Sequence, residues 1–114
     1  MKRKPLRFDE AAATEALAMQ DMDALARQVM ILVDILVDDY LAKPHAVRLD
    51  RGDCCDACIE RAWMAAQKFR PERGSMYNLL HTTIDNTLHN LEKQERRRLL
   101  AMERFMSGTG GRYA

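Results

Sequence analysis

The stretch that decides the fold is "AAQKFRPERGSMYNLLHTTIDN", Ala65 to Asn86. Ala65, Ala66, Gln67 and Lys68 favour helix. Pro71 removes a backbone donor and restricts the residue before it, so that helix cannot run on through it. Gly74 offers a turn position, and Ser75 is a favoured N-cap. From Met76 onward apolar residues again recur at three and four, so a second helix starts at once. Two helices joined by a turn over residues 70–74 make a helical hairpin.

Outward from this hinge the pattern stays helical. Downstream it continues to about Met106, with Met76, Leu80, Ile84, Thr87, Leu88 and Leu91 as the inward stripe. Upstream, a helix is expected from Asp53 to about Phe69, with Asp53 as its N-cap and Asp56 in the first turn. Its inward stripe reads Cys55, Cys58 or Ile59, Ala62, Ala66 and Phe69. Earlier, Asp23–Ala42 repeats Leu25, Val29, Leu32, Leu36 and Tyr40, flanked by Met30, Val33, Val37 and Leu41. So broad an arc suits a helix covered on more than one side. An alanine-rich segment, Asp9–Met19, can add a short helix. The expected fold is all-α: three main helices near 23–42, 53–69 and 75–106, in one domain over residues 9–106. A basic tip at 1–8 and a flexible tail at 107–114 would flank it.

Composition agrees. A length of 114 residues suits one modest core, and the chain is 47% hydrophobic, 31% charged and 6% aromatic, a helical balance. No apolar run approaches the ~20 residues of a membrane span. Asp9 and Glu10 stand where a secretion signal needs apolar residues, so a cytoplasmic location is expected, with no membrane partner. Three crowded cysteines, Cys54, Cys55 and Cys58, make a poor disulfide framework and suit a reducing compartment. Cys55-x-x-Cys58 lacks a second pair, and His45, His81 and His89 follow no zinc-finger spacing. The cysteines are expected to pack as small apolar side chains, with no metal and no other cofactor. There is no glycine-rich phosphate loop, no Ser-His-Asp set and no carboxylate pair beside a histidine, so no enzyme is expected.

Net charge is only +1, yet the charge is segregated. Lys2, Arg3, Lys4 and Arg7 form one basic end; Lys93, Arg96, Arg97 and Arg98 form another. Between them Asp21, Asp23, Asp34, Asp38 and Asp39 surround a single Arg27. Such blocks suit two partners, or simply solvated faces. On the 53–69 helix, Asp56, Glu60 and Trp63 share a face away from the stripe. Trp63 there reads equally as core filler beside alanines or as an interface anchor. On the last helix, Asn78, Thr82, Asp85, Asn86, His89, Lys93 and Arg96 share the polar side. Amides, imidazole and cations at helical spacing can meet base edges and phosphates, or simply face water.

From Asp53 to Arg98 the chain resembles region 2 of bacterial RNA polymerase sigma factors. The resemblance is carried by Asp53, the "AAQKF" helix end, the F-x-P-x-x-G turn in "FRPERG", then Ile84, Asn86 and the basic end "EKQERRR" at Glu92–Arg98. In size it is most similar to the reduced late-transcription sigma factors of T-even-type phages. The resemblance implies that Asp53, Asp56, Glu60 and Trp63 bind the clamp helices of the largest subunit of core RNA polymerase. It implies that Asn86 and His89 read the upstream edge of a −10-like promoter element, that Lys93, Arg96 and Arg97 hold phosphates, and that Tyr77 stacks on an unpaired base. No separate domain for an upstream promoter element is expected. Where primary sigmas place two tryptophans this chain has Thr82-Thr83. Strand opening is therefore expected to need a coactivator, an easy promoter or negative supercoiling. The tail "FMSGTGGRYA" lacks the acids by which the phage factors dock on a sliding clamp. The alternative is a sigma mimic that occupies the clamp helices and inhibits or redirects host transcription without reading DNA. A metal-bound or redox helical protein built on the cysteines is a third reading.

Overall fold

Aspartate or serine caps open the four α-helices found among the described residues of this chain, which are 7–45 and 47–112 of a computed structural model, with side chains through Ser107. Helix α1, Glu10–Ala18, begins where the Asp9 carboxylate accepts the Ala12 N–H at 3.0 Å. Helix α2, Met22–Leu41, begins where Asp21 accepts the Ala24 N–H at 3.2 Å. Helix α3, Arg51–Gln67, is capped by Asp50, which accepts the Asp53 N–H at 2.9 Å. Asp53, expected as the cap, therefore lies one turn inside the helix. A single 3-10 turn, Pro71–Arg73, leads to α4, Met76–Arg112. Ser75 Oγ accepts the Asn78 N–H at 3.0 Å, and the Glu10 carboxylate reaches across from α1 to accept the Tyr77 N–H at 2.7 Å. Two first-turn donors of α4 are thus satisfied by oxygen acceptors, one of them an anion at the positive end of the helix.

Among the described residues there are helices and no strand, so the all-α expectation holds. The core gathers Leu25, Val29, Leu32, Val33, Val37 and Tyr40 from α2 with Cys54, Cys55, Cys58, Ala62 and Ala66 from α3. From α4 come Met76, Leu80, Ile84 and Leu88, and from α1 Ala13 and Ala16. The stripe of α2 is rotated relative to the expected one: Val33 and Val37 are buried, whereas Leu36 is half-buried and Met30 is 50% exposed. On α3 the buried face includes Cys54 as well as Cys55, while Ile59 packs at the edge; Phe69, the expected helix end, lies two residues past the end of α3 and also packs against the core. On α4, Thr87 and Leu91 are half-buried. The small side chains of α3 allow α4 to come close, with Cys58 Sγ 3.9 Å from the Ile84 carbonyl oxygen.

Helix α4 outruns its neighbours. Leu99, Leu100, Met102 and Met106 are exposed, and the helical backbone passes the expected end near Met106 to reach Arg112. Lys2, Arg3 and Lys4 of the expected basic tip lie outside the described residues. No helix among the described residues is long and apolar enough to cross a membrane.

Two turns show opposite relations between backbone and residue type. Between α1 and α2, Gln20 takes a left-handed φ of 58°. Its N–H donates to Leu17 O at 3.1 Å and that of Asp21 to Ala16 O at 2.8 Å. This is the Schellman pattern that glycine ordinarily supplies. At the hinge, Gly74 has φ 124° and ψ −152°, a conformation essentially confined to glycine. A Cβ there would meet no atom within 4 Å, so the obstacle is backbone strain alone. Gln20→Gly is expected to raise unfolding stability by up to about 1 kcal/mol, and Gly74→Ala to lower it by about 1–3 kcal/mol. Urea denaturation of both variants measures the two signs together.

Candidate functional site

Helix α3 turns its small residues inward, which leaves its larger polar ones outside. Asp53, Asp56 and Glu60 are all exposed. Trp63 is half-buried and packs against the core, so part of the residue remains accessible. Met64 is 50% exposed next to it. Three carboxylates and an indole thus share the accessible surface of one rigid helix, an arrangement that suits a cationic partner with an apolar contact point.

The polar side of α4 divides into two neighbourhoods. The first lies against α2 and the loop that follows it. Tyr40 OH donates a short hydrogen bond to Glu92 Oε1, and His45 Nδ1 lies 2.9 Å from the same oxygen. The Tyr40 and His45 rings stack with centroids 4.3 Å apart. Arg96 Nη2 donates to Glu92 Oε2 at 3.0 Å. His89 places its ring edge-on to Tyr40 at 5.4 Å, with Nδ1 2.8 Å from the Asp85 carbonyl oxygen. Glu92 is therefore a hub that ties α2, the following loop and α4 together. The Tyr40 hydrogen bond, with the charges of His45 and Arg96, holds its carboxyl below the usual glutamate range. Burial and the same carboxylate push the Tyr40 phenol upward.

The second neighbourhood is a trough between α3 and α4, of about 500 Å³. Arg61 of α3 faces Asn86, Asn90, Lys93, Gln94 and Arg97 of α4 there, and no carboxylate lines it. Of the residues expected to meet DNA, the structure brings Asn86, Lys93 and Arg97 together in this trough. It holds His89 and Arg96 in the Glu92 neighbourhood instead. Tyr77, 40% exposed, stands apart at the start of α4, between Phe8 at 6.1 Å and His81 at 5.6 Å.

Arg61, Asn90 and Gln94 extend the site beyond the expected residues. Asn90 and Gln94 continue the four-residue step from Asn86, a signal present in the sequence. Arg61 sits on another helix, and only the packing register brings it in. The cysteines take no part: burial raises all three thiols, Cys58 to about 12, so they stay protonated at neutral pH. Among the described residues no cluster of three histidine, cysteine or carboxylate side chains is placed to hold a metal ion.

Glu92→Ala strips an acceptor from Tyr40, His45 and Arg96 at once and is expected to lower stability by about 1–3 kcal/mol at pH 7. Because the folded-state carboxyl titrates below its ordinary value of 4.5, its contribution is complete above about pH 4.5. It disappears as pH falls through the folded-state value, and the variant should lose that part of the acid dependence in urea titrations at several pH values. In comparisons with known proteins, no family model, no curated protein and no solved structure matches this chain.

Proposed function

We propose that the chain is a minimal sigma factor. Its α3 docks on the clamp helices of bacterial core RNA polymerase, and its α4 meets a −10-like promoter element. The observation that carries this reading is the outer surface of α3. Asp53, Asp56 and Glu60 stand exposed beside the half-buried Trp63, on the helix whose Lys68-Phe69 end and "FRPERG" turn resemble sigma region 2. Carboxylates in such a row can pair with arginines on a coiled coil, and an indole edge can anchor the contact. The trough cations and amides of α4 support the DNA half, since they offer hydrogen bonds and charge without a carboxylate among them.

A second reading has its own support. Arg96 is engaged by Glu92, His89 leans on Tyr40, and Thr83 Oγ1 donates to the Leu79 carbonyl oxygen at 2.8 Å. Three positions where a sigma factor would meet promoter DNA thus each have a contact within the protein. This favours a sigma mimic that fills the clamp helices and silences or redirects the host enzyme.

Core polymerase separates the possibilities. The chain is expected to comigrate with core enzyme and to yield a specific run-off transcript from an A/T-rich promoter on supercoiled template. Reversing Asp56 and Glu60 to arginine should weaken comigration at least about tenfold, or roughly 1.4 kcal/mol, without changing the helical circular dichroism. Comigration and inhibition of host-sigma transcription without a promoter footprint, unaffected by joint His89→Ala and Lys93→Ala substitution, would favour the mimic. Absence of comigration by the folded chain would remove both.

A further inference from the structure

We propose that the trough between α3 and α4 is a track for a nucleic-acid backbone, in which Arg61, Lys93 and Arg97 take successive phosphodiesters. The inference rests on the nucleic-acid half of the reading above and is independent of the polymerase half. It makes α3 a nucleic-acid element as well as a docking helix.

Three observations converge. First, the trough draws cations from two helices and has no carboxylate in its lining. With a net charge of +1 the whole chain exerts little general attraction, so this local cluster must supply it. Second, the three cations have no ion-pair partner among the described residues, unlike the arginines beside them. Arg96 is bound to Glu92 at 3.0 Å and Arg98 to Glu95 at 2.6 Å. Alternate arginines of the "RRR" run therefore have their charge neutralised, while Arg97 between them keeps its charge for a ligand. Third, Asn86, Asn90 and Gln94 form a row at four-residue steps, about 6 Å apart along the axis. A row of amides donates to phosphate oxygens and also pairs with base edges.

The shape selects a chain of charges. A single small anion would be satisfied by one or two of the cations, whereas these are spread along a trough of about 500 Å³. An acidic peptide helix would need apolar anchoring, and Ala57 and Leu91 are the main apolar surface offered. No aromatic ring lines the trough, so bases do not stack there, and the contacts of the three cations with phosphodiesters are tolerant of sequence. The phosphodiester run can belong to a single strand or to the edge of a duplex.

Fluorescence anisotropy with the full chain, using labelled single-stranded and duplex oligonucleotides over a salt series, tests the proposal. Three contacts predict a slope of log K against log salt of about −2 on a single strand or about −2.7 on a duplex. The tighter of the two oligonucleotides identifies the source. Arg61→Gln, at an exposed position, should weaken binding several-fold on every sequence and flatten the slope by about 0.7–0.9. Arg27→Gln, which removes the same charge from the exposed side of α2, should leave both unchanged. The proposal is overturned if the two variants behave alike, if neither oligonucleotide binds, or if polyglutamate displaces the oligonucleotide equally well. Comigration with core polymerase is scored separately. Its loss with the Arg61-dependent slope intact would contradict the polymerase half alone.

Discussion

The close antiparallel seam between α3 and α4 is the constraint on which the rest of the molecule depends. Cys54, Cys58, Ala62 and Ala66 are small, and they meet Met76, Leu80, Ile84 and Leu88, which are large. Complementary size lets two helices approach without voids, and dense packing makes the pair one stiff body. The hinge that permits it uses the one backbone conformation in the described chain that is reserved for glycine, at Gly74. Because the inner face of α3 is given to small residues, its acids are left outside and Trp63 stays half-buried at the rim. Because α4 is held in register with α3, Arg61 is set opposite Lys93 and Arg97. Both proposed surfaces are consequences of the same seam.

Electrostatics then separates the two sides of α4. On the α2 side, charge is neutralised internally: Glu92 gathers a phenol, an imidazole and a guanidinium, and Asp38 is held below its usual range by the Arg51 hydrogen bond. These contacts fasten the loop after α2 and the middle of α4 to the bundle. On the α3 side the cations are left with no internal counter-charge. A chain with almost no net charge can therefore carry one strongly basic trough, because the compensating acids are spent elsewhere in the fold or displayed on another surface. The same division explains why a tandem of three arginines does not behave as a single patch.

The helices were readable because each carries a local signal: caps, apolar steps of three and four, and a Pro-Gly turn. Expectation and structure differ where two signals stand within one turn. Asp50 and Asp53 both precede the α3 stripe, and either could cap it. In α2, nearly continuous apolar residues left the stripe free to rotate from Leu36 to Val37. The candidate site was only half legible. Asp56, Glu60 and Trp63 share a face by spacing alone, and the structure leaves that face accessible. The Glu92 hub links Tyr40 to a residue 52 positions away, and no periodicity announces such a pair. Nor does periodicity point to Arg61, since its trough neighbours belong to another helix. The sigma resemblance, carried by short motifs near the hinge, is silent on both contacts.

The most direct measurement of the central claim is cross-linking from defined positions in a mixture with core polymerase. A photoreactive side chain at Glu60 should join the chain to the largest polymerase subunit, within its clamp coiled coil. The same group at Asn90, in the trough, should capture promoter DNA and leave that coiled coil unlabelled. Cross-links from Glu60 that are scattered over many proteins, or absent while the chain remains folded, would contradict the account.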